Sequence, residues 1–174
     1  MKKLALALLI GAGVFTACDE LSELLRFNIP ISHEFTIPAN NVVTLPPLMI
    51  NGIPTNSSST FEDNGTAKDL VKEVRLEEVK LTITGPSQAD WDFVDDIEVY
   101  INTAGEDEIL IASVENAPND GSAVLELNTV DSDLDAYIKK DEFDLRFVIN
   151  ADGQVSYNTE VRNEMKFSVK ADPL

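Results

Sequence analysis

Apolar and polar residues alternate with a period of two over long parts of this chain, a pattern typical of β-strands with one buried face. The clearest case is the stretch 27–37, where Pro30 lies on the polar face and favours the edge of a sheet, because proline cannot donate to a ladder. Further strands are predicted wherever the alternation recurs. One face of the first strand holds Phe27, Ile29, Ile31, His33, Phe35 and Ile37. The other predicted strands include residues 42–50, 79–83, 97–101, 109–114, 123–127, 143–149 and 161–169.

Turn and helix signals separate these strands. Gly105-Glu106-Asp107 predicts a turn, and Ala151-Asp152-Gly153-Gln154 contains the Asp-Gly pair typical of hairpins. Residues 51–64, rich in serine and asparagine, are predicted to form a long loop. Helical spacing of apolar residues predicts short helices within 66–74 and 131–140. The apolar phase slips by one at Glu77-Glu78, which predicts a bulge or a change from helix to strand.

About eight strands, one or two short helices and no sustained βαβ alternation predict an all-β fold. We expect an antiparallel β-sandwich of Greek-key, immunoglobulin-like type. The term describes architecture only, since the cysteine and tryptophan spacing of antibody domains is absent. One sandwich domain is expected over residues 27–174, a length that suits a single core.

The amino terminus carries a different pattern. Lys2 and Lys3 precede the apolar run Leu4–Val14, which has the length of a secretory h-region and is too short to span a membrane as a stable helix. The run leads into Phe15-Thr16-Ala17-Cys18, which resembles the lipobox of bacterial lipoproteins. The resemblance implies a signal peptide at 1–17, an acylated Cys18 as the first mature residue and a lipidated tether at 18–26. Cys18 is the only cysteine, so the domain has no internal disulfide.

Charge narrows the choice of partners. The chain has 13 Lys and Arg against 31 Asp and Glu, a net charge of −18. Removal of residues 1–17 takes away Lys2 and Lys3, which gives 11 − 31 = −20. A protein with this negative charge repels nucleic acid, and we therefore expect no nucleic-acid partner. The charge either keeps the protein soluble and spaced from an anionic surface or provides a surface that binds cations.

The sequence offers few candidates for a catalytic residue. His33 is the only histidine, so any Ser-His-Asp or Cys-His mechanism would have to use it. It falls in phase with Phe35 and Ile37, which predicts a packed structural side chain. The chain has no HExxH, CxxC, Walker or GxSxG motif. We therefore expect no enzymatic activity, with a hydrolase as the remaining alternative.

The acidic stretch at residues 131–142 resembles the twelve-residue calcium loop of EF-hand proteins. Ala136 replaces the glycine of its sharp turn, Lys139 replaces a ligand and the flanking helices are missing. We therefore predict that no cofactor is bound and that these carboxylates stabilise the start of a short helix. A calcium site is the alternative. The carboxylates at ligand positions are Asp131, Asp133, Asp135 and Glu142.

Trp91, with Asp90 and Asp92 beside it, is the candidate binding group. An exposed Trp91 would favour a binder, and a buried one would favour a scaffold. The leading hypothesis is a lipid-anchored protein of a Gram-negative outer membrane, on its periplasmic side or at the cell surface. Its sandwich would serve as a non-enzymatic structural or accessory module. The alternative is a surface adhesion module for a glycan or an envelope protein, assisted by calcium.

Overall fold

Eight strands and a few short helical segments make up the fold. The computed structural model describes residues 24–40 and 45–174. The strands are β1 (Leu25–Ile37), β2 (Leu48–Pro54), β3 (Val71–Gly85), β4 (Val94–Asn102), β5 (Ile109–Val114), β6 (Val124–Thr129), β7 (Glu142–Ala151) and β8 (Thr159–Ala171). The helical segments are α1 (Ser57–Asp63), α2 (Asp135–Ile138) and a 3₁₀ turn at Lys68–Leu70. Within the described ranges, none of the helices has the length and apolar character that a membrane crossing requires.

The strands form two antiparallel layers joined through β6. One layer has the order β1-β8-β3-β6 and the other the order β5-β4-β7-β2. The first part of β6 pairs with β3, while Asn128 and Thr129 pair with β5, so the eight strands form one nearly closed sheet. The prediction of an all-β antiparallel sandwich with about eight strands and short helices is confirmed.

The strand order also refines the architecture. First and last strands are neighbours, and long connections carry the chain repeatedly from one layer to the other. This is the order of a jelly roll, which consists of two Greek keys. An immunoglobulin sandwich would place its first two strands side by side in one layer, as in its ABED sheet. Here β1 and β2 lie at opposite ends of the strand order, so the immunoglobulin-like order is not the one found.

Several local predictions are confirmed. The alternation at 27–37 corresponds to β1, an edge strand as Pro30 suggested. The phase slip at Glu77-Glu78 corresponds to a register shift between Leu76 and Glu78 where β3 pairs with β8. The turn at Gly105-Glu106-Asp107 joins β4 and β5, which are paired neighbours. In each case the signal is local and concerns consecutive residues of one chain segment.

Other local predictions are wrong. The Asp-Gly pair at 152–153 does not make a hairpin, because β7 pairs with β2 and β4 while β8 pairs with β1 and β3. The segment 66–74 holds only a 3₁₀ turn before β3 begins at Val71, since its apolar residues are used by a strand. The predicted loop 51–64 contains the end of β2 and helix α1, whose Phe61 is fully buried.

The sandwich has two distinct ends. We call the end at which β1 starts and β8 stops the proximal end. The segments α1, α2 and the 3₁₀ turn lie at this end. Phe61 of α1 contacts Phe27 at the start of β1, and Leu134, just before α2, donates its N–H to Val74 O near the start of β3. We call the opposite end the distal end. Among the described residues, the loops 86–93, 115–123 and 152–158 lie there, together with residues 38–40, which follow β1 and contact the last of these loops. β1 has 13 residues, so the ends are about 40 Å apart at about 3.4 Å per residue.

Candidate functional site

Cys18 lies outside the described residues, so the predicted lipidation site has no described geometry. The chain is described from Leu24 and enters β1 at Leu25, which pairs with Ala171. The amino-terminal segment therefore joins the sandwich at its proximal end.

Trp91 is buried at the distal end. Its side chain is 1% exposed, and its indole Nε1 donates to the backbone oxygen of Ala123 at 3.2 Å. Its ring stacks on Phe93 with 6.0 Å between ring centroids. The indole closes this end of the core and is not presented to a ligand, an arrangement that favours the scaffold over a Trp91-based binder.

Asp90 and Asp92 hold loops together. The Asp90 carboxylate accepts the N–H of Asp92 at 3.2 Å, and the Asp92 carboxylate accepts the N–H of Gly121 at 2.8 Å. Gly121 has a φ of +70°, a conformation that glycine adopts without a steric penalty. These contacts fix loop 86–93 against loop 115–123.

The carboxylates of the calcium-like stretch have separate partners. Asp131 pairs with Arg75 at 2.9 Å, and Asp135 pairs with Lys139 at 2.7 Å. The Asp133 carboxylate accepts the N–H groups of Val74 and Asp135, each at 3.2 Å.

Two of these contacts tie α2 to β3, and Lys139 also donates to Val71 O at 3.1 Å. Glu142 lies in β7 opposite Pro54 of β2. No group of three or more His, Cys, Asp or Glu side chains in the described part of the chain is arranged to hold a metal ion. This stretch therefore serves to dock α2.

His33 points into the sandwich from the edge strand. It stacks on Phe35 with 6.0 Å between ring centroids, and both of its ring nitrogens are buried without a hydrogen-bond partner among the described residues. Burial lowers the pKa of His33 to about 4, so the imidazole is neutral at pH 7. Neither ring nitrogen is hydrogen-bonded to a serine or a carboxylate of the described residues, as a triad would require.

Asn163 lies directly opposite His33 in the β1–β8 ladder. It is fully buried, and its side-chain amide has no hydrogen-bond partner in the described ranges either. The sequence analysis did not single it out. The signal was available, because the period of two places Asn163 between Val161 and Met165 on the inner face of β8.

The groove of about 480 Å³ beside the start of β1 is lined by paired charges. Lys170 Nζ lies 2.7 Å from Glu73 Oε1, and Arg75 Nε lies 3.4 Å from the same oxygen. The hydrogen bond from Lys170, followed by the nearby Arg75, lowers the pKa of Glu73. These charges satisfy one another, whereas Arg26 and Asn28, which also line the groove, make no side-chain hydrogen bond or ion pair with another described residue.

Two further grooves meet at Tyr157 on the distal end. One has a volume of about 230 Å³ and extends toward Gln88 and Phe93. The other has a volume of about 470 Å³ and extends toward Pro86 and Glu160. Tyr157 lines both grooves and is 47% exposed. An aromatic ring is thus presented between two concave surfaces.

The loop that carries Tyr157 is held by backbone contacts. Asn40 N donates to Val155 O at 2.9 Å, and Val155 N donates back to Asn40 O at 3.1 Å. Ala39 N donates to the side-chain oxygen of Asn158 at 2.8 Å. Val155 and Thr159, on either side of Tyr157, are both buried. Tyr157 is therefore exposed on a loop whose flanking residues are fixed.

Neutral polar groups surround this ring. The side chains of Gln88, Gln154 and Ser156 line the grooves and make no hydrogen bond to any other described residue. The carboxylates of Asp90 and Glu160 also line them, whereas no Lys or Arg does. The sequence analysis missed this site. Its only sequence signal is a lone tyrosine within the polar segment Gln154–Asn158.

Comparison with known proteins adds no functional information. No family model matches the chain, and no curated protein does. A solved chain titled "Turnip yellow mosaic virus" is 13% identical, and the alignment covers 87% of this chain and 96% of that one with a TM-score of 0.36. A likeness this low carries no argument, so the function has to be argued from the residues themselves.

Proposed function

We propose that this chain is a bacterial lipoprotein that acyl chains on Cys18 hold in the outer membrane. Its β-sandwich serves as a non-enzymatic structural or accessory module of the cell envelope. The observation that carries the proposal is the amino-terminal sequence: two lysines, the apolar run Leu4–Val14 and the tetrad ending at Cys18. Two or three acyl chains would hold the protein firmly, because each buried CH₂ contributes about 0.8 kcal/mol.

The place where the chain enters the sandwich supports this arrangement. Only six residues separate Cys18 from Leu25, the first residue of β1. Seven steps of the chain span at most about 25 Å. A lipid on Cys18 would therefore keep the proximal end near the membrane surface and turn the distal end away from it.

The surroundings of His33 support a non-enzymatic role. The only histidine is half-buried beside Phe35, and neither of its nitrogens is bonded to a nucleophile or a carboxylate of the described residues. In a nucleophilic triad the histidine is hydrogen-bonded to the nucleophile and is oriented by a third group. The side chains of Asp131, Asp133 and Asp135 are engaged in structural contacts instead of a shared site.

The proposal is tested by Cys18→Ser. We expect the parent protein to incorporate a fatty-acid label and to remain in the outer-membrane fraction after a wash at high salt. The variant should carry no label and should be released, because serine cannot form the thioether of the anchor. Ser22→Ala, a change four residues away, is the matched control and should behave like the parent. A Cys18→Ser protein that stays membrane-bound after the wash would rule out the anchor.

A second candidate function is a surface binding module for a glycan or an envelope protein. The observation that favours it is the pair of grooves at Tyr157, on the end that the tether would turn outward. Trp91 would contribute only indirectly, through its stacking on Phe93.

A further inference from the structure

We propose that the grooves around Tyr157 bind a neutral oligosaccharide, with the tyrosine ring stacked against the face of a sugar. This deepens the second candidate function and rests on it for the choice of ligand class. The binding residues differ from those that the sequence suggested, because Trp91 is buried while Tyr157 is exposed.

The shape of the surface supports a chain-like ligand. Tyr157 stands between grooves of about 230 and 470 Å³, so a ligand that lies across the ring would enter both. An exposed aromatic side chain supplies a large contact area with little conformational freedom to lose. The apolar C–H face of a pyranose matches such a ring, while the sugar's hydroxyl groups need hydrogen-bond partners at its sides.

The free polar groups fit hydroxyl groups. Gln88 and Gln154 each offer a carbonyl oxygen and an NH₂ group, and Ser156 offers a hydroxyl. None of these three side chains is bonded to another residue in the described parts of the chain. Groups that both donate and accept are suited to sugar hydroxyls, which do the same. A few such groups placed around an apolar surface fix the orientation of a ligand.

Charge decides against an anionic ligand. Asp90 and Glu160 line the grooves without a cation, so a sulfated, sialylated or phosphorylated ligand would be repelled. The distal loops 86–93, 115–123 and 152–158 also contain no Lys or Arg. An uncharged sugar carries no such penalty.

The distribution of apolar residues decides against a protein partner. Protein interfaces have a contiguous core of buried apolar and aromatic side chains. The other large apolar residues that the described surface exposes are Met49, Val124 and Leu174, and none of them lines either groove. Tyr157 and the half-buried Phe93, surrounded by amides and hydroxyls, form a surface that is too small and too polar for such a core.

The site is already organised for binding. Reciprocal backbone hydrogen bonds between Asn40 and Val155 and the N–H of Ala39 on Asn158 hold the Tyr157 loop. Asp152 N donates to Phe93 O at 3.1 Å and fixes that loop against the wall of the smaller groove. A ligand would therefore lose little affinity to the ordering of this loop.

The test is an array of neutral oligosaccharides printed beside sialylated and sulfated ones, probed with the purified full-length chain. We expect retention on neutral oligosaccharides only. Calorimetry with the best neutral oligosaccharide should then show that Tyr157→Ala weakens binding about tenfold or more, because removal of a central aromatic contact has effects of this size. Tyr157→Trp should retain binding, and Gln154→Ala should weaken it less than Tyr157→Ala does.

Met49→Ala is the matched control, because Met49 is 48% exposed on β2 and lines neither groove. It should bind like the parent. The proposal is overturned if no neutral oligosaccharide is retained, if Tyr157→Ala binds like the parent, or if binding is lost at about 0.5 M NaCl as expected of a ligand held by charge. Membrane fractionation of the same variants keeps the lipid anchor a separate question, since Tyr157→Ala should remain anchored whether or not a sugar binds.

Discussion

The proximal and distal ends of the sandwich are closed in different ways. At the proximal end, short helices cover the core and cations pair with carboxylates, as in Lys68–Asp141, Lys72–Asp172 and Lys139–Asp135. At the distal end, three loops without any Lys or Arg cover the core. Their carboxylates accept backbone N–H groups instead, as Asp92 does from Gly121 and Asp120 from Ser122.

This difference indicates which end has side chains available to a ligand. Most cations at the proximal end are paired with carboxylates, which leaves few of them free to hold a ligand. The distal end keeps its loops in place with carboxylate-to-backbone bonds. It leaves the side chains of Gln88, Gln154 and Tyr157 without partners in the described structure. Under the two proposals made above, the proximal end would serve attachment and the distal end recognition.

Deletion of residues 160–174 should have the largest effect and tests whether the two ends depend on the strand that runs between them. The deletion removes all of β8 except Thr159. Among the described strands β1 pairs with β8 alone, and β8 also pairs with β3. We expect no cooperative thermal transition by circular dichroism, because a whole inner face of the sandwich would be exposed. Deletion of Leu174 alone, which is 82% exposed, is the control and should melt like the parent. A cooperative transition in the long deletion would mean that the sandwich folds without β8.

Trp91→Ala and Phe61→Ala compare the two ends of the core directly. Both side chains are fully buried, Trp91 under the distal loops and Phe61 in α1 against Phe27. Each change should lower the free energy of unfolding by about 3–5 kcal/mol, the usual cost of truncating a buried aromatic side chain. Urea unfolding followed by circular dichroism measures both, and Tyr157→Ala should change stability by less than about 0.5 kcal/mol. A small loss in Trp91→Ala beside a large one in Phe61→Ala would separate the distal end from the cooperative core.

The pH dependence of the stability of His33→Phe tests the burial of His33 in the distal half of β1. The folded protein holds the pKa of His33 at about 4, below the ordinary histidine value of 6.5. Between these values the unfolded chain binds a proton that the folded chain does not, so stability falls as the pH falls from about 6.5 to 4.

Because His33 is only partly buried, we expect this decrease to be about 1–2 kcal/mol, less than the full shift would give. His33→Phe should lose less stability than the parent between pH 7 and 4.5, as measured by urea unfolding at the two pH values. The carboxylates are common to both proteins and cancel in the difference. Equal losses in the two proteins would contradict burial of the neutral imidazole.

A pair of charge variants should have the smallest effects and opposite signs. Arg146 makes two hydrogen bonds to Glu108 near the proximal end, at 2.8 and 2.6 Å, and its guanidinium lies 4.1 Å from the centre of the Tyr100 ring. Its hydrogen bond lowers the pKa of Glu108. Arg146→Gln should cost about 0.5–1 kcal/mol at low salt and less at high salt, because the pair is partly exposed and screened.

Asp95→Asn, at the distal end, removes one charge from a region without cations and should slightly stabilise the protein at low salt. Urea unfolding at two salt concentrations measures both variants. The comparison of the two ends fails if both changes have the same sign.

The amino-acid pattern by itself determined the fold class and much of the local detail. The period of two along β1, the edge position of Pro30 and the bulge at Glu77-Glu78 all follow from which face of one strand is buried. The burial of His33 was likewise predicted from its phase with Phe35 and Ile37. These features depend on neighbours along the chain, which the sequence displays directly.

Only the tertiary structure decided which strands pair and what the loops present. The turn at Asp152-Gly153 reverses the chain in either case, but β7 and β8 pack in different layers because each buries its apolar face against the other layer. Trp91 and Tyr157 both lie in polar loops, and the sequence favoured Trp91 as the binding residue. Burial depends on contacts between loops that are far apart in sequence, such as Trp91 with Ala123 and Asn40 with Val155. A single sequence does not reveal such contacts, and they are what placed the indole inside the core and the phenol ring at the surface.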